Sequence, residues 1–205
     1  SCATREGIGV SGQSFVGGIA GYNLSGAKLQ ANINRADITA VGDYVGGIAG
    51  ANLGEIDIPD CSADKMDGAT GEYTVTGKSG QGIGGIVGWN RAYIKKGGDG
   101  KNAAISGVLN VTVDANEIIK NNEVTAIGEK VTVIGQEKVG GIIGINEGRI
   151  DTSQSDGTPG YFLVCKAKLV QATKDCAGGI IGEARVIAGG DDSGMISRAI
   201  NRAER

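Results

Sequence analysis

The chain of 205 residues contains no histidine. Ser-His-Asp and Cys-His nucleophile systems need an imidazole to carry the proton, so both are excluded. Zinc sites with histidine ligands are excluded on the same ground. Proline is almost missing, at 2 residues against 38 glycines. Collagen needs abundant proline and a strict Gly-X-Y period, so the glycine must serve something else. Aromatic residues make up only 4% of the chain. No apolar run approaches the roughly 20 residues that span a bilayer. No signal-peptide pattern is present either, so secretion would require a signal outside this segment. Charge of neither sign dominates: 20 basic and 23 acidic residues leave a net charge of −3. Without a polybasic run there is nothing to track a phosphate backbone. Arg198, Arg202 and Arg205 read as a solvated face. Nucleic acid, membrane insertion and a cofactor are therefore not expected.

Apolar residues still account for 40% of the chain, with Val, Ile and Leu spread along it. That content predicts a packed core rather than a disordered tail. The residues are organised by a repeat. Val16-Gly17-Gly18-Ile19-Ala20-Gly21 recurs as Val45-Gly46-Gly47-Ile48-Ala49-Gly50, Ile83-Gly84-Gly85-Ile86-Val87-Gly88, Val139-Gly140-Gly141-Ile142-Ile143-Gly144 and Ala177-Gly178-Gly179-Ile180-Ile181-Gly182. Successive copies start 29, 38, 56 and 38 residues apart. The longer intervals imply insertions, at about 58–71 and 95–124, and the longest could hide a degenerate copy. A run rich in β-branched residues precedes each of copies two to five, as in Tyr73-Thr74-Val75-Thr76 and Val131-Thr132-Val133-Ile134. Asparagine follows the motif in four copies, Asn23, Asn52, Asn90 and Asn146, and Ala184 takes its place in the fifth. Then comes a short segment such as Gly54-Glu55-Ile56 or Gly148-Arg149-Ile150.

One unit of about 29 residues cannot bury its own apolar stripe, whereas stacked copies can. The reading is an all-β chain: a single β-solenoid over 1–205, right-handed by the commoner outcome. It has about three short strands per coil and about six coils, or roughly 30 Å of stack at the strand spacing. Ile19, Ile48, Ile86, Ile142 and Ile180 should form an apolar column, and the asparagines should stack at a corner that tolerates left-handed backbone. Helical repeats are poor alternatives, since no long stretch has a 3.6-residue period; the best helical candidate, Asp114 to Glu123, lies in the long insertion. Ile33-Asn34-Arg35-Ala36-Asp37 nearly reappears as Ile200-Asn201-Arg202-Ala203-Glu204 at the very end. That start and finish in mid-unit, with no caps visible, predict a segment of something longer.

The string Val-Gly-Gly-Ile-x-Gly-x-Asn followed by Gly-x-Ile resembles the GLUG repeat, in five copies over most of the chain. Ser1-Cys2-Ala3-Thr4 and Asp60-Cys61-Ser62-Ala63 fit the family's Asn-Cys-x-Ala position. The fifth copy departs, with Ala177 for Val and no asparagine. The resemblance implies a bacterial surface-exposed or secreted, adhesin-like protein, or a module beside the protease part of some immunoglobulin A proteases. It carries over no catalytic residue, and the His-Glu-x-x-His zinc motif cannot occur here.

Several local patterns offer chemistry and have plainer readings. Gly80-x-Gly82-x-x-Gly85 matches a dinucleotide fingerprint, but overlaps the third repeat with no helix after it. Gly97-Gly98-Asp99-Gly100 and Gly189-Gly190-Asp191-Asp192 are similar to calcium nonapeptides but lack the tandem nine-residue spacing. A carboxylate pair for glycan cleavage would need a defined separation, and adjacent Asp191 and Asp192 offer solvated turns instead. Cys165 and Cys176 lie across a turn in one unit, so a disulfide between them is one reading; small buried apolar residues are the other. Phe15 and Tyr44 share a repeat position, as do Tyr22 and Trp89. An outward stack including Phe15, Tyr44 and Trp89 would hold a sugar ring or a partner side chain, against a plain reading of corner packing. The functional expectation is thus a non-catalytic, structural or adhesive scaffold at an extracellular or bacterial cell-surface location, presenting loops Ile58–Gly71 and Lys95–Val124. Its expected partner is a protein or glycan ligand at a cell surface, or neighbouring copies end to end. The rival readings are a self-assembling fibre subunit and an accessory module of a large secreted protease or glycan-active enzyme.

Overall fold

A computed structural model describes residues 9–30, 34–58, 73–96, 102–111, 120–152, 160–187 and 198–202. Strands make up 63% of the structure, almost all of them in parallel sheets, with almost no helix. Among them the one antiparallel pairing is a hairpin of Ala92–Lys96 with Asn102–Ser106. No described helix is long and apolar enough to cross a membrane.

The repeat sets the pairing. Val16, Val45, Ile83, Val139 and Ala177 lie side by side in register, followed by Gly17, Gly46, Gly84, Gly140 and Gly178. A second sheet aligns Ala20, Ala49, Val87, Ile143 and Ile181, and after them Asn23, Asn52, Asn90, Asn146 and Ala184. The five motif copies are therefore five consecutive rungs in chain order. Gly84 pairs directly with Gly140, so the 56-residue interval hides no further copy, and the described stack has five rungs rather than about six. A third ladder aligns Leu29, Ile56, Leu109 and Ile150. A further column, on the strands before the motif, runs Val10, Ile38, Val75, Val133 and Val170.

Strand alternation explains which side chains meet. In the run Ile38–Ala40, Ile38 and Ala40 are buried and Thr39 between them is not. The apolar columns close on one another as a single core holding Ile38, Val75, Val133, Ile56, Leu109, Ile150, Val45, Ile83 and Val139. The isoleucine column forms as expected, linked by backbone bonds from the N–H of Ile19 to the C=O of Ile48, from Ile48 to Ile86, from Ile86 to Ile142 and from Ile142 to Ile180, at 2.9–3.0 Å. Glycine is required where rungs approach. A Cβ on Gly46 would lie 2.6 Å from the carbonyl oxygen of Ile86, and one on Gly47 would fall on the carbonyl oxygen of Gly85.

Other expectations need correction. The unit has more than three strands: the second runs Ile38–Ala40, Val45–Gly46, Ala49–Asn52 and Glu55–Ile58. In every unit the residue before the Val-Gly-Gly motif, or its counterpart, takes left-handed backbone. Phe15, Tyr44, Gly82, Lys138 and Cys176 have φ of 55, 63, 75, 56 and 55°. The left-handed corner therefore lies there and not at the asparagines, which are the last residues of their strands. In the fourth and fifth units the two segments merge into ten-residue strands, Val131–Gly140 and Leu169–Gly178. Val131–Gly140 pairs with Tyr73–Gly77 along one half and with Gln81–Gly84 along the other. The eight-stranded sheet thus doubles back into a nearly closed, barrel-like form.

The segment 95–124 is likewise only partly an excursion. After the hairpin, Val108–Val111 returns to the third ladder between Glu55–Ile58 and Arg149–Asp151, and Leu109 is fully buried there. Glu123–Ile127 opens a short sheet with Phe162–Cys165 and Ala199–Asn201. Of the helical candidate, Lys120–Asn122 is a single 3-10 turn and Glu123 begins a strand; 114–119 lie outside the described residues. Of the other insertion, 58–71, Ile58 ends a core strand and 59–71 lie outside the described residues.

Candidate functional site

Two rows of side chains meet on one outer corner of the stack. The first is the left-handed row Phe15, Tyr44, Gly82, Lys138 and Cys176. The second is Tyr22, Ala51, Trp89, Ile145 and Glu183, aligned by register one position before the asparagines. Left-handed backbone is costly for a bulky residue, about 1–3 kcal/mol. It is held here by the rungs: the N–H of Phe15 donates to the C=O of Asp43, and that of Tyr44 to the C=O of Gln81, at 3.0 and 2.9 Å.

The rows alternate large and small. Tyr44 stands beside Ala51 on the second rung, and Trp89 beside Gly82 on the third. A Cβ on Gly82 would reach the Tyr44 ring at 2.9 Å, so Gly82 gives that ring its room. Tyr44 and Trp89 consequently stack across the rungs at 4.7 Å with planes 26° apart. Phe15 touches Tyr44 at 5.1 Å and Tyr22 at 5.6 Å. The Arg91 guanidinium lies over the Trp89 ring at 4.6 Å and donates to the Tyr22 hydroxyl at 2.5 Å. Phe15, Tyr44 and Trp89 are thus brought together, and Tyr22 and Arg91 join them. Arg91 could be found from its place directly after the motif asparagine Asn90.

Beyond Trp89 the corner becomes charged. Lys138 pairs with Glu183 at 3.4 Å and also donates to Gln81. Arg185 bonds Glu183 at 2.8 Å and reaches Glu147 at 3.5 Å. The Arg185 hydrogen bond holds the Glu183 carboxyl below its usual range, with Lys138 adding to the effect. Burial, and after it the Asp43 charge, pushes the Tyr44 phenol up, so its hydroxyl stays protonated at neutral pH. The corner can therefore bind by contact, hydrogen bond and charge. The Tyr44 and Trp89 faces are occupied by each other and by Arg91, so stacking on a flat planar group is left to Phe15, which is 38% exposed.

Behind this corner runs a buried polar line. Asn23 Nδ2 donates to Asn52 Oδ1, Asn52 to Asn90 and Asn90 to Asn146, at 2.8, 2.9 and 2.9 Å. Asn146 Nδ2, fully buried, has no partner among the described residues because Ala184 stands where the next amide would be.

The remaining candidates separate. Cys165 and Cys176 are both free thiols. Cys165 is buried, and burial pushes its pKa up to about 11. Cys176 is exposed on the outer corner. The Gly80–Gly85 fingerprint lies on the strand Gln81–Gly84 within the stack. Gly97–Gly100 and Gly189–Asp192 lie outside the described residues. Arg202 forms a two-pronged pair with Glu123, both bonds 2.6 Å, and Arg198 donates to the C=O of Gly160, so both serve the short sheet of Glu123–Ile127, Phe162–Cys165 and Ala199–Asn201. Comparison with protein-family models, curated proteins and solved structures finds no match for this chain. The GLUG resemblance therefore rests on the motif residues alone.

Proposed function

We propose that the chain is a GLUG-type β-solenoid segment that works without catalysis, as a stiff spacer and binding scaffold of a bacterial surface or secreted protein. The observation that carries the reading is the register: five copies of one motif pair in parallel and in chain order, with asparagine on asparagine for four rungs. Each rung is clamped to the next by backbone bonds, so the stack resists bending as a unit, while sequence outside the motif is free to vary for recognition. The aromatic and charged corner is the surface of the scaffold that offers most to a protein or glycan ligand. Two measurements test this. Small-angle scattering of the chain should give the profile of a compact folded particle, since five rungs span only about 19 Å at the strand spacing, and a random-coil profile would sink the solenoid. Antibodies to the chain should label intact cells of its source; labelling only after permeabilisation would overturn the surface role.

A further inference from the structure

We propose that Arg91, Tyr22 and Tyr44 form a receptor for a single carboxylate, presented by a glycan that contains uronic acid. The inference rests on the scaffold reading above and gives its outer corner a ligand.

The cations of this corner differ in their partners. Lys138 pairs with Glu183, and Arg185 pairs with both Glu183 and Glu147. Arg91 has no carboxylate partner among the described residues. Its guanidinium is nevertheless held at two points, over the Trp89 ring at 4.6 Å and on the Tyr22 hydroxyl at 2.5 Å. The register explains how it reaches there. Ala51 stands between Tyr22 and Trp89 in their row, and this small side chain leaves the gap that Arg91 crosses from the third rung to the first. Of the five N–H donors in the guanidinium fork, one is used on Tyr22. A fork already fixed in place loses little freedom on binding, and its plane matches the two oxygens of a carboxylate.

Two hydroxyls add to the donors. Tyr22 accepts from Arg91, so its own proton remains for a further acceptor. The Tyr44 hydroxyl has no hydrogen-bond partner among the described residues. Burial, and after it the Asp43 charge, keeps it protonated, and it lies near enough to Arg91 to feel that charge. Donors without an acceptor are thus gathered on three adjacent rungs, beside the stacked rings of Tyr44 and Trp89.

The neighbours set the size of the charge. Asp43 and Glu147 act on the same phenol as Arg91 and Arg185, so a dianion such as a phosphate monoester would meet two carboxylates. A monoanionic carboxylate meets less repulsion. The strands favour the bearer. A peptide recognised at a sheet adds a strand to an open edge. Ala49–Asn52 and Val87–Asn90, which carry this corner, are paired on both sides. Recognition therefore falls to side chains alone. Their hydroxyls, ring edges and fork match the hydroxyl, C–H and carboxylate groups of a uronic acid.

Trp89, the sole tryptophan, lies under Arg91 and reports on the site. Titration with oligogalacturonate or hyaluronan oligosaccharides should change its emission saturably, and calorimetry should give the same affinity. Methyl-esterified oligogalacturonate, which lacks only the charge, should bind about tenfold more weakly or not at all. By calorimetry, Arg91→Gln should abolish binding, and Arg91→Lys, which keeps the charge and loses the fork, should weaken it about tenfold. Tyr44→Phe, which keeps the ring and loses the hydroxyl, should weaken it about fivefold. Equal affinity for acid and ester overturns the proposal without any variant. Unchanged affinity in Arg91→Gln overturns it too, as does the lack of saturable binding to both glycans. Tighter binding of oligoglutamate than of either uronate assigns the site to an acidic protein and refutes the glycan. A chain that scatters as a compact particle yet binds none of these sinks this inference alone. One that scatters as a random coil sinks the scaffold reading with it.

Discussion

Asn90 is an amide whose loss should be felt strongly. It accepts from Asn52 Nδ2 and donates to Asn146 Oδ1, both at 2.9 Å, and it is fully buried. Asn90→Ala removes two hydrogen bonds at about 1 kcal/mol net each. It also strands Asn146 Oδ1 and leaves Asn52 Nδ2 with only a long bond, 3.4 Å, to the C=O of Val108. Stranding buried polar atoms adds about 1–3 kcal/mol, so the expected total is about 3–5 kcal/mol. Asn23→Ala removes the two bonds Asn23 donates, to Asn52 Oδ1 and to the C=O of Glu55, and strands the buried Asn52 Oδ1, so it should also cost about 3–5 kcal/mol. Ala184→Asn should run the other way. It supplies the acceptor that Asn146 Nδ2 lacks and should stabilise by about 1 kcal/mol. Urea unfolding followed by the fluorescence of Trp89, the sole tryptophan and the neighbour of Asn90, reads all three. Comparable losses at Asn90 and Asn23, with Ala184→Asn of opposite sign, are the signature of a directional amide line. A loss below about 1 kcal/mol for Asn90→Ala would refute it.

Other predictions concern the glycines, the corner and the buried thiol. Gly47→Ala would drive its Cβ into the backbone of Gly85 and should cost about 3 kcal/mol by thermal unfolding, whereas Ala at Gly26, where φ is +83° but space is open, should cost about 1 kcal/mol. Tyr44→Ala should uncover the Trp89 face, shifting its emission to the red and costing about 1 kcal/mol beyond lost burial. Cys165 should resist alkylation in the folded chain while Cys176 reacts, read by peptide mapping. Burial raises the Cys165 pKa from 9.0 to about 11, so the fold favours the neutral thiol. That contribution is complete below pH 9 and is lost as pH rises through about 11. Wild type should therefore lose about 2–3 kcal/mol more than Cys165→Ala over that window.

The all-β class, the motif columns and the asparagine line were all legible in the residues, because identical neighbours in a parallel ladder need only one rule repeated: the same residue at the same place every unit. The paired glycines were legible as points of close approach for the same reason. Legibility stopped where geometry joins residues that no period links. The shared repeat positions suggested an outward stack of Phe15, Tyr44 and Trp89, but not that Trp89 would lie face to face with Tyr44, since that contact depends on Gly82 and Ala51 being small on opposite rows of adjacent rungs. Interval length also misled. The 56 residues between two copies suggested a missing rung, yet the chain leaves, forms a hairpin, returns to fill a position in the third ladder and pairs copies three and four directly. The left-handed corner fell on Phe15, Tyr44, Lys138 and Cys176, types with no preference for it, because a stack can hold a strained residue by its neighbours' carbonyls. The sequence by itself determined which residues repeat, and so which columns form. Only the tertiary structure decided which columns touch and where the backbone turns, since those depend on distances across the stack and not along the chain.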